Sequence, residues 1–139
     1  MAVALDSNVV VGFLDSDDAF HDAADRRIRE FLADGQNLYA SVLTYAEVLT
    51  GAKRGHHGED IVRGFFDKLI SWVMPVDRLV GDRAAELRGQ HRSLKMPDAL
   101  ILAGADVDQH VELILCSDDV ADGIKGALRC EVEPLTPTA

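Results

Sequence analysis

Apolar residues along this chain fall into two alternating patterns. Short unbroken runs are separated by longer stretches in which apolar residues return every three or four positions. The first run, Ala2 to Leu5, predicts strand 1, and Val9, Val10, Phe13 and Leu14 follow at helical spacing. Phe20 to Asp34 predicts an amphipathic helix with Ala24, Ile28, Phe31 and Leu32 on one face. Gly35 suits its C-terminal cap. Leu38 to Leu43 predicts strand 2, and Thr44 opens a helix carrying Tyr45, Val48, Leu49 and Ala52. Glu59 to Ile70 predicts another helix, its apolar face formed by Ile61, Val62, Phe65, Phe66, Leu69 and Ile70. Trp72 to Val76 predicts strand 3, and Pro75 points to an edge position. Asp77 to Arg92 reads as helical, and Pro97 at a first helical position starts a helix with Leu100, Ile101 and Leu102. Val111 to Cys116 predicts a strand interrupted only by Glu112. A short helix over Asp119 to Leu128 and a last strand, Val132 to Leu135, close the pattern.

Strands that are apolar through most of their length and alternate with helices predict a parallel sheet covered on both faces. The expected fold class is α/β: one three-layer α/β/α domain over residues 1–139, with a central parallel sheet of about five strands. In such sheets, sites form beyond the carboxyl ends of the strands, where the winding direction reverses.

Charge narrows the function. The 139 residues hold 24 acids against 14 bases, a formal net charge of −10. That excludes non-specific nucleic-acid binding through a broad basic face. It leaves open binding through divalent cations, which carboxylates attract and which in turn hold phosphates. No apolar run approaches the roughly 20 residues that span a bilayer, and no secretory leader pattern opens the chain. The expectation is a cytoplasmic protein without a membrane partner. Cys116 and Cys130 have no metal-ligand spacing and are expected to be reduced core thiols.

Four groups of acids then stand out by position. Asp6 follows strand 1, Glu47 lies one turn into the helix after strand 2, and Asp118 and Asp119 follow the Val111 strand. Asp98 sits in the first turn of the preceding helix, and periodicity alone does not bring it to the same edge. Each has a complete structural explanation when taken singly. Asp6 or Ser7 can cap a helix, worth about 1 kcal/mol. Thr44-x-x-Glu47 is a capping box. Asp98, Asp118 and Asp119 suit the positive end of a helix dipole. Taken together they would repel, and some would be forced to protonate unless a cation neutralised them. Mg²⁺ or Mn²⁺ suits such an all-oxygen site. His56 and His57, in a Gly-flanked loop, are read as facing solvent rather than binding metal. Lys53, Arg54, Arg92 and Lys95 lie near motif ends and are read first as solvated helix termini.

The motifs Leu5-Asp6-Ser7-Asn8, Thr44-Tyr45-Ala46-Glu47-Val48-Leu49-x-Gly51, Pro97-Asp98-Ala99-Leu100-Ile101 and Leu115-Cys116-Ser117-Asp118-Asp119 occur in this order over nearly the whole chain. In this arrangement the chain resembles the PIN-domain family, and within it the VapC-type toxins of bacterial toxin–antitoxin pairs. The resemblance implies a Mg²⁺- or Mn²⁺-dependent endoribonuclease acting on RNA. It implies metal-site roles for Asp6, Glu47, Asp98 and Asp119, with Asp118 as the alternative to Asp119, and supporting roles for Asn8 and Ser117. It also implies that the Asp98 helix starts near the acidic edge, that a cognate antitoxin inhibits the enzyme through a basic segment, and that the chain is a homodimer. The chain departs from the family pattern in three places. Serine stands at 7 and 117 where threonine is common, Asp118 and Asp119 are adjacent, and Gly123 follows Asp122 where an aromatic residue often follows the acid. Two other classes are weighed against this one. A phosphoacceptor receiver domain would use an aspartate after strand 3, where Asp77 stands, and a lysine near the last strand, whereas Lys125 falls in the short helix after Asp119. A catalytically silent α/β interaction module would use the acids only as caps. An Asp-x-Asp phosphatase is disfavoured because Asn8 takes the second acid's place.

Overall fold

The computed structural model describes residues 1–124 and 126–137. Five strands form one wholly parallel sheet: β1 (Ala2–Leu5), β2 (Asn37–Ser41), β3 (Ile70–Met74), β4 (Val111–Ser117) and β5 (Glu131–Leu135). Their spatial order is β3-β2-β1-β4-β5. The chain therefore winds outward from β1 through β2 to β3, then crosses back to place β4 on the other side of β1. The winding reverses between β1 and β4. This order differs from the 2-1-3-4-5 order of receiver-type domains, so that alternative is set aside. Lys125, whose expected position already disfavoured that alternative, lies outside the described residues.

The helices are α1 (Ser7–Leu14), α2 (His21–Ala33), α3 (Val42–Lys53), α4 (Glu59–Lys68), α5 (Arg78–Gln90), α6 (Met96–Val107) and α7 (Asp118–Ala121). α1 to α4 cover one face of the sheet and α5 to α7 the other. This gives the expected three layers. No helix is long and apolar enough to cross a membrane among the described residues.

Alternation along β1 divides its side chains between the two cores. Val3 and Leu5 pack with Val9, Val10, Ile28 and Val48. Ala2 and Ala4 face the other way, into a core shared with Ala99 and Ala103 of α6. Small side chains on both partners let α6 lie close over the middle of the sheet, where it contacts β2 and β4 on either side of β1. The first turn of α6 thereby comes to the carboxyl edge of the strands.

Several boundaries shift from the pattern-based reading. α3 begins at Val42 rather than Thr44, because the Ser41 hydroxyl caps it by accepting from the Leu43 N–H at 3.0 Å. β3 runs two residues earlier than expected and lies at the sheet edge, with Pro75 just beyond it. α7 is only four residues long, and among the described residues turns and a bend follow it where the helix was expected to continue to Leu128. Ile61 and Leu32, both expected on buried faces, are exposed. Gly35 ends α2 as expected. At φ 75° it completes a double cap, with Gln36 N–H donating to Phe31 O at 3.0 Å and Gly35 N–H to Leu32 O at 3.1 Å. Cys116 and Cys130 are free and buried, and burial pushes the Cys130 thiol up to about 11.

His57 departs most from expectation. Its neighbour His56 is exposed, but His57 folds back beneath α3, its Nε2 3.1 Å from Val48 O. The ring occupies the space a side chain at 51 would need: a Cβ there would stand 2.7 Å from the His57 Nε2. Gly51, in the last turn of α3, thus leaves the space that the His57 ring occupies. The loop's glycines suggested exposure, and nothing in the local pattern reports a contact six residues back.

A polar network ties α5 and α6 to the segment before β5. The buried Asp106 carboxylate accepts from Arg83 Nε at 2.7 Å and from the Arg129 N–H, while Arg83 Nη2 donates to Ala127 O at 2.8 Å. Hydrogen-bonding to Asp106 raises the Arg83 pKa above its usual range. Removing one partner of such a group leaves a buried carboxylate short of a charge. We predict that Arg83→Ala lowers stability by about 2–3 kcal/mol. Urea unfolding checks this, and a loss under about 0.5 kcal/mol, the scale of an ordinary surface change, would overturn it.

Candidate active site

Asp6 is the first polar residue after β1, and it is 5% exposed. Its two oxygens are held separately. Oδ1 accepts from the Val9 N–H at 2.9 Å, capping α1. Oδ2 accepts from the Ser117 N–H at 3.2 Å, at the end of β4. Asp6 therefore spans the point where the sheet's winding reverses. The cap foreseen for this position exists, but it accounts for only one of the two oxygens.

Glu47 has no capping role. With α3 starting at Val42, Thr44 is a buried residue inside the first turn, and the capping-box explanation is withdrawn. Glu47 Oε1 instead accepts from the Ser7 hydroxyl at 2.7 Å. The Ser7 and Thr44 hydroxyls are 3.1 Å apart. Ser7 has one proton to give. With that proton on the charged carboxylate, the Thr44 hydroxyl is free to donate to Ser7. A small chain of hydroxyls thus fixes an exposed carboxylate against the start of α1.

Asn8 Nδ2 donates to the Ser117 Oγ at 3.0 Å, fastening the start of α1 to the end of β4. Ser117 is wholly buried. Beyond it the two neighbouring acids diverge. Asp118 turns back on the chain and accepts from the Asp119 N–H at 3.0 Å. Asp119 likewise accepts from the next N–H, that of Val120, at 3.0 Å, but it is exposed and lines a cleft together with Asp98.

Electrostatics show which acids share a neighbourhood. The Asp6 carboxyl is raised to about 7, chiefly by burial, against the lowering effect of its two backbone N–H donors, with Asp98 and Asp119 adding repulsion. The Asp98 carboxyl is also raised, first by burial and then by Glu47 and Asp119, with Lys95 acting in the opposite direction. Asp118 is not among the charges acting on either. The structure thus brings Asp6, Glu47, Asp98 and Asp119 together and leaves Asp118 aside. Asp98 reaches the group because α6 starts at this edge, as the family resemblance implied.

The donor set is all oxygen. Two of its carboxylates, Asp6 and Asp98, hold their protons more tightly than isolated ones, first through burial and then through neighbouring acids. Among the described residues, no three Asp, Glu, His or Cys side chains converge closely enough to enclose an ion directly. Mg²⁺ does not require that. It is commonly held by one or two carboxylates and keeps several waters. The residues fit Mg²⁺ or Mn²⁺ and do not suit zinc, whose structural sites take thiolate or imidazole ligands.

Of the four bases near motif ends, Lys53 is committed to Glu59 in an ion pair at 2.6 Å. Arg54 and Arg92 are exposed. Lys95 lines the cleft beside Asp98.

Burial of Asp6 carries a pH signature. Its folded-state pKa of about 7 lies above the ordinary aspartate value of 3.8, so between these values the folded chain binds more protons than the unfolded one. Its contribution is greatest below pH 4 and is lost as pH rises toward 7, by up to about 1.4 kcal/mol per pH unit. In EDTA, Asp6→Asn should therefore gain stability relative to the parent between pH 5 and pH 8. Parallel urea-midpoint profiles for the two proteins would overturn the assignment.

A family model described as PIN domain matches residues 3–122. A search of curated protein sequences gives no match. Among solved structures, the chain is similar to a toxin–antitoxin complex from Klebsiella pneumoniae, with 23% identity, a TM-score of 0.69, and coverage of 99% of this chain and 97% of that one. It is also similar to VapBC2 from Rickettsia felis bound to a promoter DNA fragment, at 15% identity and TM-score 0.70, covering 96% and 98%. A third is the Mycobacterium tuberculosis toxin VapC20, described as cleaving the sarcin–ricin loop, at 16% identity and TM-score 0.61, covering 81% and 87%. At these identities the structures speak for the fold. The family match, with four acids gathered where β1 and β4 end, gives the conclusion: the chain belongs to the PIN-domain family.

Proposed function

We propose that this protein is a metal-dependent endoribonuclease and the toxin of a toxin–antitoxin pair. The observation that carries the reading is the convergence of Asp6, Glu47, Asp98 and Asp119, two of them with raised pKa, at the reversal point of a PIN-domain sheet. Such crowding is costly for a cap or an inert binding module. The relatives described as toxin–antitoxin complexes and as an RNA-cleaving toxin support the biological part.

In this reading Asp6, Glu47, Asp98 and Asp119 hold Mg²⁺ or Mn²⁺, directly or through water. When bound, the ion would lower the pKa of a water and stabilise charge developing on the phosphoryl oxygens. Ser7 fixes Glu47 in place. Asn8 and Ser117 keep the ends of β1 and β4 together, so that the distance between Asp6 and Asp119 cannot drift. Asp118 serves the start of α7. Without a cation the acids repel RNA, so substrate binding itself is coupled to metal.

The proposed setting is the cytoplasm, where RNA substrate and antitoxin would both be met. The acids invite a basic inhibitory segment from the antitoxin. Arginine suits the role because its guanidinium pairs bidentately with carboxylates. A homodimer is part of the same proposal, and light scattering tests it.

Asp98→Asn and Glu47→Gln keep side-chain shape and remove charge. Each should lower RNA cleavage in Mn²⁺ on the order of a hundredfold or more, with an unchanged circular dichroism spectrum. Mn²⁺ at about a hundred times its Kd should stabilise the parent protein by about 2.7 kcal/mol, a rise of several degrees in Tm. Both variants should blunt that rise. Full cleavage in either variant, or a Tm indifferent to millimolar Mn²⁺, would falsify the metal-site assignment. The antitoxin arm is separate. Replacing the inhibitory arginine of the partner by glutamate should restore cleavage in the mixed proteins, and persistent inhibition would place the contact elsewhere.

A further inference from the structure

Beside Asp98 and Asp119 opens a cleft of about 280 Å³. Its first wall is the α5–α6 connection, with His91, Ser93, Leu94 and Lys95, and its second is formed by Val120, Asp122, Gly123 and Ile124. The metal-site reading uses none of these residues. The three apolar residues are half-buried or buried, and the polar ones stand around them. Among the described residues, no side-chain hydrogen bond or ion pair engages the His91 ring, the Ser93 hydroxyl or the Lys95 ammonium. The backbone beneath them is held. Arg88 Nε donates to Leu94 O at 3.0 Å, and the Leu94 N–H donates to His91 O at 3.1 Å. The wall is therefore pre-shaped while its polar groups remain uncommitted.

Size, polarity and charge agree on what such a cleft accepts. Its volume lies near the lower end for clefts that take small organic groups, roughly 300 Å³. That admits one nucleotide-sized group and not a duplex, which proteins contact across some 16 base pairs. Apolar surface with polar groups at the margin suits a heteroaromatic ring, which is apolar on its faces and hydrogen-bonding at its edges. In a chain of net charge −10, the stretch His91-Arg92-Ser93-Leu94-Lys95 carries bases and no acid. The cleft thus has three acids, Asp98, Asp119 and Asp122, along one side and His91 and Lys95 along the other, so a phosphodiester joined to a base would meet its phosphate with the α5–α6 side.

We propose that this cleft is a base-binding subsite. One unpaired nucleotide next to the scissile phosphate seats its base against Leu94, Val120 and Ile124, His91 and Ser93 hydrogen-bond the edge of the base, and Lys95 holds the adjoining phosphate. The proposal rests on the ribonuclease reading and deepens it, because it assigns the selection of the cleaved nucleotide to the α5–α6 connection.

The test uses the full chain, with Ser93→Leu to fill the cleft at an exposed position, Lys95→Met to remove charge while keeping the stem, and Lys53→Met as a remote control. A fluorescein-labelled unstructured octaribonucleotide is titrated with each protein in Ca²⁺, and fluorescence anisotropy is recorded. Cleavage of the same RNA is then followed in Mn²⁺. Ser93→Leu and Lys95→Met should each weaken binding about tenfold, within the range of single base contacts. Both should raise KM far more than they lower kcat and keep the Mn²⁺-dependent rise in Tm, while the control matches the parent. A fully paired duplex of the same sequence should not displace the octamer. Unchanged binding in both variants, a fall in kcat at constant KM, displacement by the duplex, or no octamer binding by the parent would each overturn the subsite. Octamer binding that the variants lose, without any RNA cleavage by the parent, would keep the subsite and remove the ribonuclease reading.

Discussion

The architecture of this site depends on one buried carboxylate bridging two chain segments. Asp6 gives one oxygen to the first turn of α1 and the other to the end of β4. A carboxylate with so little access to water loses most of its hydration, and two backbone N–H groups return only part of what is lost. That deficit is written in its pKa of about 7. A cap alone does not require it, since a serine or asparagine at the surface satisfies a helix N-terminus without burying charge. The burial comes from the topology. β1 lies between β2 and β4, and any residue just past its end is enclosed by two neighbouring strand ends and by the helices leaving them.

Crowding then follows from packing. Ala2 and Ala4 on the sheet and Ala99 and Ala103 on α6 leave little side-chain volume between helix and strand. α6 settles close, and its first turn brings Asp98 into the field of Asp6, Glu47 and Asp119. Larger residues at these alanines would lift the helix and relieve the repulsion. The fold thus keeps an electrostatically unfavourable arrangement through apolar contacts made elsewhere on the same helix. That is the usual relation between a strained functional site and the scaffold that holds it.

What could be read from the sequence divides along the range of the interactions. The parallel sheet, the three layers and the Gly35 cap are set by local composition and period, and they were legible. Asp6 and the region after Cys116 could be placed at one edge, because strand ends in a parallel sheet share an edge. Asp98 could not be placed by periodicity, since its position depends on how close α6 packs, and only the family resemblance supplied it. The capping-box reading of Glu47 failed for a local reason. Ser41 offered an earlier cap, and a shift of the helix start by two residues changed which groups were left without partners. His57 failed because its partner lies in the preceding helix, while the Gly-rich loop around it advertises exposure.

The doubled acid shows why a register matters more than a motif. Asp118 and Asp119 are chemically the same, and strand alternation ends at Ser117, so neither period nor propensity distinguishes them. Geometry does. Each carboxylate accepts from the next backbone N–H, but only the second also lines the cleft beside Asp98. A helix of four residues offers little dipole to reward both charges at its start. Neither acid caps it, since Ser117 holds the N-cap position and no side chain completes the cap. What separates the two is reach: the Asp119 charge raises the pKa of Asp98 and Asp6 alike, and Asp118 acts on neither. The local backbone contact is common to both acids, so it is the long-range interaction with two further acids across the fold, and not the start of the helix, that distinguishes Asp119.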